Sequence, residues 1–76
     1  MTDQVYRLIY PVHLLSVPVI NQLIRRYDLT VNILRAQIGG EDRWMDILLT
    51  GDPVVIDDAI AWLSSQGIQV SSIFDR

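Results

Sequence analysis

Residue types that carry proton transfer, nucleophilic attack or metal ligation are few in this chain, and their spacing does not bring them together. His13 is the one histidine and there is no cysteine. A thiolate or histidine metal cluster therefore lacks its ligands, and imidazole-based acid/base work has one candidate with no partner. His13 reads more simply as a loop residue packed near a helix start. Asp57 and Asp58 offer two carboxylates in succession, but adjacent positions on a helix do not share a face. Early in a helix they complement its dipole instead. Ser64-Ser65 and Ser71-Ser72 have no His/Asp arrangement that would activate a hydroxyl. The expectation is a non-enzymatic chain with no catalytic residue, no metal ligand set and no cofactor.

Composition narrows the remaining classes. Seventy-six residues, half of them hydrophobic, read as one domain over 1–76. A fold of that size buries only about 60% of the surface its unfolded chain exposes, so a partner subunit is an expected source of stability. The net charge is −3, from six arginines, no lysine and nine acids. Arg25-Arg26 is the densest basic feature, far short of a phosphate-neutralising patch, which argues against nucleic acid as a partner. No apolar run approaches the roughly 20 residues that span a bilayer. The acidic start, Met1-Thr2-Asp3-Gln4, lacks the basic region of a secretory leader. No membrane insertion and a cytoplasmic location are expected.

Six elements would position these residues. Gln4 to Tyr10 is β-branched and aromatic, stops at Pro11 and reads as a strand. Ser16 suits an N-cap with Pro18 in the first turn, and Ile20, Leu23, Ile24 and Tyr27 follow helical spacing, which predicts a helix over 17–27. Thr30–Ile38 and Arg43–Thr50 read as strands of a hairpin turning at Gly39-Gly40-Glu41-Asp42. Asp52 and Pro53 mark a capped start to a second helix, with Ile56, Ala59, Ile60 and Leu63 as its buried stripe and Gly67 as its stop. Ile68–Phe74 is the last strand. The order βαββαβ predicts an α+β, ferredoxin-like fold: a four-stranded antiparallel sheet in order 4-1-3-2, both helices on one face, and the second and fourth strands as edges.

Such a sheet has one face without a cover. Strict alternation puts Leu8, Tyr10, Leu34, Ala36, Ile38, Met45, Ile47 and Leu49 toward the helices. Ile9, Ile33, Trp44 and Leu48 then fall on the opposite face among Arg7, Arg35 and Asp46. That apolar group is the candidate interface, for a second copy or another protein. Trp62 reads as the rim of the core.

Particular residues resemble the NIL domain family. Asn32-Ile33-Leu34 within the second strand is the tripeptide that gives the family its name. Leu8-Ile9-Tyr10, Pro18, Arg25-Arg26-Tyr27, Thr50-Gly51 and Ala59-Ile60-Ala61-Trp62-Leu63 resemble family positions in order, across roughly residues 5–74. The resemblance implies the C-terminal regulatory domain of methionine-importer ATPases. There the ferredoxin-like domain pairs with its copy, and methionine bound at the pair's interface lowers transport. With no phosphate loop and no cysteine, the chain resembles the stand-alone form, without ATPase or iron–sulfur cluster.

Carried over residue by residue, the resemblance makes Asn32 a ligand contact, because an amide offers a donor and an acceptor to an amino acid. Its alternative is local hydrogen bonding where a strand begins. Ile33 and Leu34 accompany it, and Trp44 and Met45 border the same candidate pocket. In place of the family's frequent aromatic-Gly pair stands Glu41-Asp42-Arg43-Trp44-Met45, and Val12-His13-Leu14-Leu15 is more apolar than the family pattern. Two function classes follow: a homodimeric sensor of methionine or another amino acid, or a module docking a transporter or ferredoxin-type protein through its open face.

Overall fold

The computed structural model describes residues 1–39 and 42–73. Its strands are β1 (Thr2–Ile9), β2 (Thr30–Gly39), β3 (Asp42–Gly51) and β4 (Gln69–Ser72), and its helices are α1 (Val19–Arg26) and α2 (Pro53–Ser65), with a 3-10 turn at Val12–Leu14. They form one antiparallel sheet in the order β2-β3-β1-β4. Read from the other edge, this is the expected 4-1-3-2 order, and the fold is ferredoxin-like. The turn expected at Gly40 and Glu41, and Phe74 of the last strand, lie outside the described residues.

Apolar spacing decides where the core forms. Val19 and Leu23 of α1, and Ile56, Ala59 and Leu63 of α2, meet Leu8, Ile47 and Leu49 of the central strands on one side of the sheet. All eight are almost wholly buried. Trp62 lies at the rim as expected, its ring 6.4 Å from that of Tyr27 and 5.0 Å beneath the Arg26 guanidinium.

Helix ends follow local chemistry. At the start of α2 the Asp52 carboxylate accepts from the Val54 N–H at 2.9 Å, with Pro53 next in the chain. At its end Gly67 takes φ +96°. Its N–H donates to the Ser64 carbonyl while that of Ile68 donates to Leu63, a pair of bonds that closes the last turn and seats Ile68 in the core. The start of α1 differs from expectation. Ser16 does not cap it: the helix begins at Val19, with Pro18 at the cap position and no side-chain cap. Val17 and Val19 donate instead to Leu14 and Val17 carbonyls in a tight approach.

Gly67→Ala forces a Cβ into the left-handed region and is expected to cost about 1–2 kcal/mol. Thermal melts are expected to show a fall of roughly 4–8 °C per kcal/mol for a domain of this size. An unchanged midpoint would contradict this account of the α2 terminus.

Candidate functional site

The register of β2 on β3 sets what each sheet face presents. From Thr30↔Thr50 to Ile33↔Ile47 pairing is regular, and it resumes at Arg35↔Asp46 with one residue, Leu34, inserted. Residues paired across antiparallel strands share a face. Ile47 is fully buried on the helix side, so Ile33 belongs to that side too. The bulge corrects the expected alternation: Ile33 is not on the uncovered face with Ile9, Trp44 and Leu48, and Leu34 is not a core residue but half exposed at the bulge. Ala36 and Ile38 keep the helix-side phase expected of them, opposite Met45 and Arg43, although both are exposed. One inserted residue reverses the facing of everything before it.

On the helix side, β2 outruns the helices. A cavity of about 240 Å³ remains between the start of α1 with its preceding turn and the inner face of β2 and β3. Leu14, Leu15, Val17, Val19 and Ile20 form one wall, and Ile33, Ile38 and Met45 form the other. Tyr10 and Arg43 close one end: the Arg43 Nε donates to the Tyr10 carbonyl at 3.2 Å, and burial raises the Tyr10 phenol above its ordinary pKa. Leu15, Ile33 and Ile38 leave an exposed apolar rim at the mouth, Ile38 being 68% exposed. The lining is aliphatic and aromatic with few polar groups, the character of a small-molecule site.

The opposite face carries an ionic cluster. Asp46 of β3 has a side chain only 1% exposed, although no element of the described residues covers this side. Arg7 of β1 grips it through Nε at 2.7 Å and a terminal nitrogen at 2.9 Å, and Arg35 of β2 donates from Nε at 2.8 Å. The two guanidiniums themselves bury the carboxylate. Arg7 also lies over the Trp44 ring at 4.2 Å. The Arg7 hydrogen bonds are the largest cause of an Asp46 pKa lowered to about 2; burial opposes them and Arg35 adds to them. Ile9 and Leu48 share this face, with Val5 opposite Leu48.

The residues singled out from the sequence thus divide. Ile33, Trp44 and Met45 line the cavity, although the Trp44 ring sits under Arg7 on the far side. Asn32, paired with Leu48, is exposed on the uncovered face. The Arg7–Asp46–Arg35 cluster was legible only as three polar residues on one face. The three-residue interval between Asn32 and Arg35, in a strand otherwise polar every second position, is the sequence signal for the bulge.

Comparison with known proteins agrees with this architecture. The NIL domain family model matches residues 4–72. A methionine import ATP-binding protein, MetN, of Burkholderia thailandensis is 37% identical over 60 residues, which is 74% of this chain and 17% of that protein. The chain therefore spans about a sixth of the length of the curated MetN relatives it matches. The uncharacterized protein ssr2439 of Synechocystis sp. is 36% identical over 61 residues, 78% of this chain and 61% of that one. Among solved structures, the C-terminal domain of an ABC transporter ATP-binding protein from Enterococcus faecalis superposes with a TM-score of 0.82 at 21% identity, covering 96% of this chain and 86% of that one.

A carboxylate whose pKa is lowered by folding adds stability above its unfolded value, near 3.9, and loses it as pH falls toward the folded one. Asp46→Asn is expected to cost on the order of 1–3 kcal/mol near neutrality, read by urea unfolding. The gap between parent and variant is expected to shrink between about pH 4 and pH 2. A gap independent of pH would contradict the cluster's role.

Proposed function

The chain belongs to the NIL domain family, and from that premise we propose that it is a non-catalytic regulatory unit that binds a small apolar ligand as a homodimer. The whole chain acts as one such unit. The observation that carries this reading is the apolar cavity beside β2, with its uncovered rim of Leu15, Ile33 and Ile38. At about 240 Å³ it is below the roughly 300–1,000 Å³ of sites for drug-sized ligands, and so suits a molecule of amino-acid size. Several curated relatives are methionine import proteins, which makes methionine, a flexible and polarizable side chain, the first ligand to test.

Ile33 and Met45 are the ligand-lining side chains in this proposal; Trp44 borders the cavity, but its ring lies under Arg7 on the opposite face. Asn32 and Leu34 fall to the seam between copies. They sit on β2, a ten-residue edge strand whose outer side meets no other strand among the described residues. An edge of that length is a template for pairing with another chain. A second copy there would also cover the cavity rim, which one subunit leaves open. No helix among the described residues is long and apolar enough to cross a membrane, and the unit is proposed to work beside an importer's ATP-binding component in the cytoplasm.

Isothermal titration of the chain against the twenty amino acids is expected to give a saturable signal for methionine or a similar apolar side chain. At about 100 times its dissociation constant such a ligand adds about 2.7 kcal/mol of stability. Leu15→Trp places a ring at the cavity mouth, where the native side chain is 42% exposed, and is expected to abolish binding with an unchanged circular dichroism spectrum. Light scattering is expected to give a dimer mass. Flat titrations for all twenty, or binding untouched by Leu15→Trp, would overturn the ligand reading; a monomer with and without methionine would overturn the dimer.

A further inference from the structure

From the uncovered sheet face we infer a second binding surface, separate from the cavity: a docking site for an acidic protein surface whose carboxylate is flanked by apolar side chains. Three observations converge on it. First, Arg7 and Arg35 are held by one buried carboxylate, so both guanidiniums are fixed before any partner arrives. Arg35 uses only Nε on Asp46, and its side chain is 68% exposed. Its two terminal nitrogens therefore form a donor fork of the kind that meets a carboxylate in parallel. Ordering the side chain in advance lowers the entropy lost on binding.

Second, the cluster has a local charge of +1 in a chain of net charge −3. Asp3 of β1 and, by register, Asp42 of β3 hold the same strand phase; each is four residues along its strand from the cluster, roughly 13 Å at strand spacing, beyond the screening length in physiological salt. The cationic spot is thus where an acidic surface can approach a chain that otherwise repels it. Third, apolar side chains flank it: Val5 and Leu48 on one side, Ile9 and Trp44 on the other, in successive rows of the β1–β3 register. Trp44 already stacks with Arg7, and aromatic–arginine pairs of this kind anchor protein interfaces.

Other occupants fit less well. A second copy packed face to face would set two clusters of like charge against each other. A phosphate backbone would meet two arginines with a carboxylate between them and, among the described residues of this face, no wider basic field.

The test uses the full chain, isotopically labelled, and two synthetic peptides: Leu-Glu-Leu-Phe-Glu-Leu, and the same sequence with Gln in place of Glu. NMR titration is expected to show saturable shifts of the Trp44 indole and the Arg7 and Arg35 side chains with the Glu peptide. Added salt is expected to weaken them, and the Gln peptide to bind at least tenfold more weakly. Arg35→Gln, at an exposed position, is expected to reduce affinity at least tenfold while the spectrum stays folded. Leu15→Trp, in the cavity, is expected to leave it unchanged, which separates this surface from the proposed ligand site. Equal binding of the two peptides, shifts confined to the cavity, or tighter binding of a single-stranded RNA oligonucleotide would overturn the inference.

Discussion

An extra residue in the edge strand β2 determines where both faces of the molecule put their distinctive side chains. With Leu34 set outside the pairing, Ile33 stays opposite Ile47 and Arg35 stays opposite Asp46. The first contact supplies a wall of the cavity; the second completes the cluster that buries Asp46. Without the phase shift the strand could satisfy only one of them, because side-chain direction in a strand alternates with a strict period of two.

The two faces solve different physical problems. On the helix side burial is the driving force, and the core is complete wherever α1 and α2 lie over the sheet. Beyond the start of α1 the layer ends while β2 continues, so an apolar wall is left facing a void. Leaving Leu15, Ile33 and Ile38 exposed forgoes about 25 cal/mol for each Å² that a ligand or second subunit would remove from water, which is why the cavity is the natural place for either. On the other face a carboxylate is almost fully excluded from water and yet ionised. Three charge-assisted hydrogen bonds offset its desolvation, and the result is rigid polar surface between apolar rows.

Much of the architecture was legible because its signals are local. Asp52-Pro53 announced the start of α2 and Gly67 its end through capping chemistry that acts within a few residues. The βαββαβ order then fixed the sheet, and the Asn32-Ile33-Leu34 tripeptide with its companions pointed to the family. Ser16 misled, since a good capping residue two positions before a proline does not force the helix to begin there. Ile33 and Leu34 misled for a deeper reason. Two consecutive apolar residues in a strand satisfy either phase, and only the polar interval from Asn32 to Arg35 records the shift. The grip of Arg7 on Asp46 joins residues 39 apart in sequence, and no local pattern encodes such a pair; it exists only once the register is set.

Deleting Leu34 tests that register most directly. If Leu34 is an inserted residue, its removal leaves Ile33 opposite Ile47 and Arg35 opposite Asp46 with alternation restored. The melting temperature is then expected to move by no more than about 5 °C, within roughly 1 kcal/mol, and side-chain NMR contacts for both pairs are expected to persist. If Leu34 is instead a regular position, the deletion turns half of β2 over; a loss of more than about 15 °C, or of the cooperative transition itself, would contradict the account.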